Sequence, residues 1–87
     1  MTSRPERALE QYVVYGWIAR DRLSEAAYRR LMRLHIAAGD RNAALEAYDT
    51  CRVTLERELQ ADPSPETMTL ARRIRQERNL RARDERR

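Results

Sequence analysis

Apolar side chains between residues 24 and 59 recur at steps of three and four, which places them on one face of an α-helix. The first stripe comprises Tyr28, Leu31, Leu34, His35 and Ala38, and the second comprises Ala44, Tyr48, Cys51, Leu55 and Leu59. Between them, Gly39 can adopt the left-handed conformation that ends a helix, and Asp40 can cap the next helix. Because the turn is short, the pattern predicts two antiparallel helices with their stripes in contact.

Another helix is predicted before this hairpin. Pro5 suits a first helical turn, and Ser24 is a candidate cap for the helix that follows a short polar connection. The segment 5–20 is apolar almost all round, and its apolar residues include Val13, Val14, Tyr15, Trp17 and Ile18. A helix of this kind is either buried on more than one side or lacks a partner.

Two prolines mark the start of a last helix. Pro63 disfavours the α conformation at Asp62, Ser64 can cap the helix, and Pro65 fits its first position because the missing N–H needs no partner there. A short apolar stripe follows, formed by Leu70, Ala71 and Ile74. Beyond Arg78 the sequence is almost wholly charged, which predicts a fraying helix or a disordered tail.

These elements predict an all-α fold of about four helices, arranged as tetratricopeptide-like antiparallel hairpins in an α-solenoid. The sequence ALEQY at residues 8–12 recurs as ALEAY at 44–48, an offset of 36 residues, and a period of this length is typical of solenoids. We expect one helical repeat domain over residues 5–78. Residues 1–4 would be a disordered start or a tag remnant, and residues 79–87 a basic tail.

Positive charge is concentrated at the C-terminal end of the chain. The net charge is +4, but residues 1–69 hold ten Arg against eleven acidic residues, or −1, whereas residues 70–87 hold eight Arg against three, or +5. A basic segment of this kind contacts nucleic acid, an anionic membrane or an acidic protein, or it is a solvated helix end.

The sequence offers little reaction chemistry, so we expect no enzyme, no metal and no cofactor. It has no metal-ligand spacing and no glycine-rich phosphate loop. The single cysteine, Cys51, is interpreted as a small buried hydrophobe, and the single histidine, His35, as a packed core residue hydrogen-bonded to backbone. The N-terminus has no apolar signal core, and no segment approaches the roughly 20 apolar residues of a membrane span. The expected location is the cytoplasm.

Residues 23–67 carry several motifs in order, namely EAAYRRLMRLH at 25–35, AAGDR at 37–41, ALEAY at 44–48, LEREL at 55–59 and DPSPET at 62–67. In this order they resemble the bacterial transcriptional activator domain, a helical repeat domain of antibiotic-regulatory-protein type activators. Gln60 departs from the family pattern, which has a helix-ending Gly, so the residue is left-handed or the turn has another shape. The resemblance implies a regulatory module for interdomain contact, self-association or signal reception. A winged-helix DNA-binding domain would lie elsewhere, since no strand is predicted.

The function expected from this resemblance is a protein–protein interaction or oligomerisation module of a bacterial transcriptional regulator. Solenoid repeats bind on a concave face, and on the family alignment this face carries Arg29, Arg33, Ile36, Ala37, Arg72 and Arg75. They would form a basic groove for an acidic partner or another domain of the parent regulator, or they are the solvated side of amphipathic helices. A generic tetratricopeptide-like scaffold of a larger signalling protein is an alternative.

Two further hypotheses concern partners, and neither involves a membrane. The Arg-rich last helix could contact phosphates through Arg72, Arg73, Arg75, Arg78, Arg81 and Arg83, although direct nucleic-acid contact is the less favoured alternative. The chain also starts on a second helix of a repeat and ends on a first helix, so both ends lack a covering helix. We therefore expect a homodimer or a swapped assembly, which buries Val14, Tyr15, Trp17 or Ile18 and Leu70 or Ile74.

Overall fold

Four helices follow one another within the residues that the structure describes. The computed structural model describes residues 5–85, with the side chains of residues 8–77. The helices are α1 (Pro5–Arg20), α2 (Glu25–Ala37), α3 (Arg41–Leu59) and α4 (Pro65–Glu85), and no strand occurs within residues 5–85. Helix α2 packs against α3 as a hairpin, α1 lies against α2, and α4 lies against α3 and the edge of α2. The predicted all-α fold of helical hairpins is confirmed.

The starts of α2 and α3 follow from local capping chemistry. Ser24 Oγ accepts a hydrogen bond from the Ala27 N–H at 3.2 Å, and Asp40 Oδ1 accepts one from the Ala43 N–H at 3.0 Å. Each cap satisfies one of the backbone donors that a helix start leaves unpaired. Gly39, between the two helices, has a φ of 81° and so lies in the left-handed region, as predicted.

Helix α3 ends on a residue in an unfavourable backbone conformation. Gln60 has a φ of 52° and a ψ of 43°, and the left-handed region costs a non-glycine residue on the order of 1 kcal/mol. The Gln60 N–H donates to the Glu56 carbonyl at 3.0 Å, and the Ala61 N–H donates to the Leu55 carbonyl at 3.4 Å. These bonds satisfy the carbonyls of Leu55 and Glu56 near the end of the helix. The sequence predicted either a left-handed Gln60 or a turn of another shape, and the structure has the left-handed Gln60.

The core lies on both sides of α2, between α1, α3 and α4. Its buried apolar residues are Val14, Ala27, Tyr28, Leu31, Met32, Leu34, Ala44, Ala47, Tyr48, Cys51, Leu55, Ala71 and Ile74. Both predicted stripes contribute, but their last members do not. Ala38 is the exposed cap of α2, and Leu59 is 55% exposed. Since α3 has 19 residues and α2 only 13, the end of α3 extends past the helix that would cover it.

Helix α4 continues past residue 78, where the repeat domain was predicted to end. The backbone of residues 79–85 is helical, which agrees with the helical alternative for the basic tail. Residues 1–4, predicted to be a disordered start or a tag remnant, lie outside the described residues, as do residues 86–87.

The repeat in the sequence is not matched by a repeat in packing. Tyr48 is buried, whereas its sequence counterpart Tyr12 is 78% exposed. Helix α1 instead buries Val14 and packs the half-buried Ile18 against the core. The difference arises because α3 lies between α2 and α4, whereas α1 has only α2 beside it among the described helices.

Candidate interaction surfaces

A partly buried polar cluster joins the start of α4 to the start of α2. Glu25 Oε1 accepts hydrogen bonds from the Thr67 hydroxyl at 2.6 Å and from the Ser64 N–H at 2.8 Å. Arg29 Nη1 donates to the Thr67 hydroxyl oxygen at 2.8 Å, and Arg29 Nε lies 3.4 Å from Glu66 Oε2. Because Thr67 is fully buried, its hydroxyl needs these partners. The cluster therefore fixes the spacing of α2 and α4.

Glu25 is held in its charged form within this polar cluster. Burial raises the pKa of the carboxyl, but hydrogen bonds from Thr67 and Ser64, together with the charge of Arg29, bring the pKa below its ordinary value of 4.5. Hydrogen bonds to a carboxylate favour the ionised form in this way. Glu25 is thus a structural acceptor that joins two helices, and it is not poised as an acid catalyst at neutral pH.

A shallow groove runs between α2 and the first half of α4. Its volume is about 330 Å³, and it is lined by Arg33, Pro65, Glu66, Thr69, Leu70 and Arg73. Within the described part of the chain, neither Arg33 nor Arg73 forms an ion pair with a carboxylate, whereas Glu66 pairs with Arg29. Leu70 is half-buried against the core. The groove therefore combines two guanidinium groups, one from each helix, with an apolar side chain.

The side of α1 that points away from the core is apolar. Five residues at the spacing of one helical face form this outer stripe, namely Leu9, Tyr12, Val13, Gly16 and Trp17. Leu9, Tyr12 and Val13 are each more than 60% exposed, and Trp17 is 41% exposed. A cleft of about 340 Å³ lies along the stripe, and Arg30 of α2 forms part of its lining.

Neither the histidine nor the cysteine forms a reactive site. Burial raises the pKa of the Cys51 thiol to about 11, so the thiol is protonated and a poor nucleophile at neutral pH. His35 was predicted to be a packed core residue bonded to backbone, but it is half-buried and lines a cavity of about 290 Å³. The reason is that the backbones of α1 and α3 do not come close together, and the cavity between the two helices leaves the imidazole partly open.

The described residues contain neither a metal-binding cluster nor a membrane-spanning helix. Among them, no three His, Cys, Asp or Glu side chains are grouped so that they could hold a metal ion. None of the described helices combines the length and the apolar character needed to cross a bilayer.

Residues 3–75 match the family model of the bacterial transcriptional activator domain. The chain belongs to this family. The match covers α1, α2, α3 and the half of α4 that carries the groove and the polar cluster. No curated protein and no solved structure matches the chain. The chain is therefore a domain of the transcriptional activator type, a family of regulators that is not a known family of enzymes.

One of the six residues predicted on the concave face of the activator domain, Arg33, lines the groove between α2 and α4. Arg29 is held instead in the polar cluster, where its side chain is only 15% exposed. The Arg75 guanidinium carbon lies 5.5 Å from the centre of the Tyr48 ring. This distance indicates a cation–π contact and places Arg75 against α3, outside the groove.

The other three concave-face candidates do not line the groove either. Ile36 is half-buried and packs against the core, because it lies on the side of α2 that faces the apolar cluster. Ala37 is exposed at the last residue of α2, and Arg72 is exposed on α4. The groove between α2 and α4 therefore contains fewer of the predicted residues than expected. Arg33 is the one predicted arginine that lines it.

The six residues predicted to mediate self-association of the activator domain fall into three groups. Val14 and Ile74 are buried in the core, Ile18 and Leu70 are half-buried against it, and Tyr15 and Trp17 are exposed. Val14 and Ile74 cannot contribute to an interaction surface, because the fold already buries them. Self-association itself stays a prediction.

Sequence reasoning missed Arg73 as a groove residue, although a signal for it was present. Residues three apart share one face of a helix, and Arg73 follows Leu70 by three. Arg72 and Arg75 are not spaced three residues from Leu70, so this rule does not place them on the same face of α4. The polar partners of Arg29 had no such local signal, because Thr67 lies 38 residues further along the chain.

Proposed function

We propose that this activator domain is a protein-binding module of a bacterial transcriptional regulator. Its binding site is the groove between α2 and α4, and its ligand is an acidic segment that also presents an apolar side chain. The supporting observation is the pair Arg33 and Arg73, which line one groove without a carboxylate partner in the described residues.

The chemistry of the groove favours this ligand over a purely charged one. An arginine binds a carboxylate through two parallel hydrogen bonds, which adds geometry to the charge attraction. Leu70 offers an apolar contact between the two helices, and apolar anchors flanked by charges are how grooves of this kind hold peptides and helices. Glu66, which is already paired with Arg29, gives one end of the groove a negative charge. That charge disfavours a ligand that is acidic along its whole length.

The rigidity of the groove also supports the proposal. The polar cluster of Glu25, Thr67 and Arg29 holds the two walls at a fixed spacing. A preformed site loses less conformational entropy on binding than a site that must be ordered first. The groove is thus suited to binding, and it contains no group that would carry out a reaction. That the chain is not an enzyme stays a prediction.

A selection from a displayed random peptide library would test the groove. We expect the selected peptides to be enriched in Asp or Glu close to an apolar residue. Arg33→Glu and Arg73→Glu should each weaken binding at least about tenfold, which is the size expected for losing a charge-assisted contact. Arg72→Glu is the matched control, since it makes the same charge change on the same helix outside the groove and should retain binding.

The same variants separate this function from nucleic-acid binding. Phosphate contacts depend on the overall positive charge of the helix and weaken steeply with salt. If the chain bound double-stranded DNA in a salt-dependent mobility shift, and if Arg72→Glu and Arg73→Glu weakened that binding equally, the protein-binding groove would be contradicted. Selected peptides without acidic residues would contradict it as well.

We also infer that the domain acts in the cytoplasm. Regulators of transcription work beside the DNA, and a free buried thiol such as Cys51 is compatible with a reducing compartment.

A further inference from the structure

A cavity of about 290 Å³ lies between α1, α2 and α3. We propose that it binds a small aromatic amine, which is a ring with a short chain that ends in a protonated amino group. None of the residues that line the groove between α2 and α4 lines this cavity. The proposal is therefore independent of the protein-binding function of the groove, and either site could be lost without the other.

The size and shape of the cavity suit one ring with a short chain. Its α2 wall runs from Tyr28 to His35 and its α3 wall from Ala43 to Thr50, so each wall spans about two helical turns, or about 10 Å. A cavity of about 150 Å³ holds one benzene ring, so a volume of about 290 Å³ leaves room for a short chain beside the ring. Because α2 and α3 form an antiparallel hairpin, Tyr28 and Thr50 lie at one end of the cavity, and His35 and Ala43 lie at the other.

Most of the lining is apolar or aromatic. Leu31 and Ala47 are buried, Ile18 is half-buried against the core, and Tyr15 and Tyr28 add two aromatic rings. An aromatic ligand would bury its apolar area here and could stack against the tyrosine rings. The faces of such rings also attract a cation. The lining therefore suits both the ring and the amino group of the proposed ligand.

Glu46 gives the cavity a negative charge that no ion pair neutralises among the described residues. The chain contains 18 Lys and Arg residues in total, yet none of them lines this cavity, and Glu46 is absent from the ion pairs of the described part of the chain. Asp49, three residues along α3, is a second carboxylate and pairs with Arg52. The cavity therefore favours a cation, whereas the groove between α2 and α4, with Arg33 and Arg73, favours an anion.

Hydrogen-bonding groups lie at both ends of the cavity. A protonated amino group donates three hydrogen bonds, and Glu46 and an unprotonated His35 ring offer acceptors for them. Tyr28, towards the other end, is only 3% exposed, and its hydroxyl forms no hydrogen bond with another described residue. A hydroxyl buried to this degree normally has a partner. A hydroxyl on the ring of the ligand would supply one, so tyramine, a phenol with an aminoethyl chain, is the probe that matches both ends.

Isothermal titration calorimetry of the full chain with tyramine tests the site. We expect saturable binding with a dissociation constant of about 1 mM or below, which is the range for a ligand of this size. Glu46→Gln keeps the shape of the side chain but removes its charge, so it should raise the dissociation constant at least about tenfold. Ala43→Leu places extra bulk at one end of the cavity and should weaken binding to a similar degree.

Matched controls make the test specific to the cavity. Glu56→Gln makes the same change on an exposed residue of α3 that does not line the cavity and should leave binding unchanged. Hydroxyphenylpropionate has the same ring with a carboxylate in place of the amine, and butylamine has the amine without the ring. Each should bind at least about tenfold more weakly than tyramine. Circular dichroism should show that the variants keep their helix content, since leucine and glutamine are good helix formers.

Three outcomes would overturn the amine site. Tyramine would fail to saturate the chain in the millimolar range, Glu56→Gln would weaken binding as strongly as Glu46→Gln, or hydroxyphenylpropionate or butylamine would bind as tightly as tyramine. Arg33→Glu, in the groove between α2 and α4, should leave the binding of tyramine unchanged. Failure of the amine site can therefore be told apart from failure of the protein-binding groove.

Discussion

Helices α1 and α4 stand at the two ends of the same short stack, yet their outer sides differ in kind. Helix α4 turns Ala71 and Ile74 inward, and its exposed described residues are charged or polar apart from Pro65. Helix α1 turns Val14 inward but leaves Leu9 and Val13 exposed on the opposite side. A repeat stack stays soluble when its end helices have a polar outer face. By this criterion the described outer face of α4 is polar like that of a capping helix, and we call it the capped end. The described outer face of α1 is apolar, and we call it the open end.

The two ends are also held by different forces. Helix α4 is fixed by the partly buried polar cluster at its start, by an ion pair between Arg41 and Glu77 at 3.2 Å, and by Arg75 over the Tyr48 ring. Among the described side chains, helix α1 is held by apolar contacts and by an exposed ion pair between Arg30 and Glu10. Exposed pairs contribute little to stability, from about 0 to 1 kcal/mol. Directional polar contacts therefore position the capped end, whereas burial of apolar side chains mainly positions the open end.

The largest expected effect comes from removing the apolar contact of α4. Ile74 is 3% exposed, so Ile74→Ala leaves a cavity and should lower the free energy of unfolding by about 2–5 kcal/mol. Val13→Ala removes apolar carbon atoms from the outer stripe of α1 and should cost less than about 0.5 kcal/mol when the protein is dilute. Urea unfolding monitored by circular dichroism measures both.

Protein concentration then distinguishes the two ends further. If α1 mediates pairing, the cost of Val13→Ala should grow as the wild type becomes dimeric, because association stabilises the folded state. The cost of Ile74→Ala should stay constant, since its contacts lie within one chain. Equal costs for the two variants in dilute protein would contradict the distinction between a cap and an open end.

A smaller effect is expected from the polar contact of α4. Thr67→Val removes the hydroxyl that donates to Glu25 and accepts from Arg29, while keeping the shape of the side chain. Leaving buried polar groups without partners costs about 1–3 kcal/mol, and unfolding in urea would show this loss. Thr67→Ser keeps the hydroxyl and should lose much less. If valine were tolerated as well as serine, the polar cluster would not be what positions α4.

The parts of the fold set by local chemistry could be predicted from the sequence. The caps Ser24 and Asp40, the left-handed Gly39 and the break at Pro63 each act through neighbours within a few residues, and each lies at or beside a helix boundary. The same holds for the inner positions of the hairpin, because helical spacing alone assigns them to one face.

The parts that depend on distant neighbours could not be predicted. Tyr12 and Tyr48 stand in nearly the same local sequence, and only the presence of α4 beside α3 decides that one is buried and the other exposed. Arg29 was expected in the binding groove because its spacing along α2 is that of a surface residue. Its actual partner, Thr67, comes from another helix and gives no signal in the sequence near Arg29. The groove between α2 and α4 is formed by positions of this kind, and Arg33 is the one residue of the predicted concave face that lines it.

The smallest expected effect is the pH dependence that Glu25 gives to the attachment of α4. The pKa of Glu25 is lower in the folded chain than its ordinary value of 4.5, so the unfolded chain takes up the proton first. The stability that Glu25 contributes is therefore complete above pH 4.5 and is lost as the pH falls through the folded pKa. Thermal unfolding midpoints, followed from neutral pH to well below 4.5, should fall less steeply for Glu25→Gln than for the wild type. If the midpoint fell as steeply for Glu25→Gln as for the wild type, the capped end would have no special sensitivity to acid.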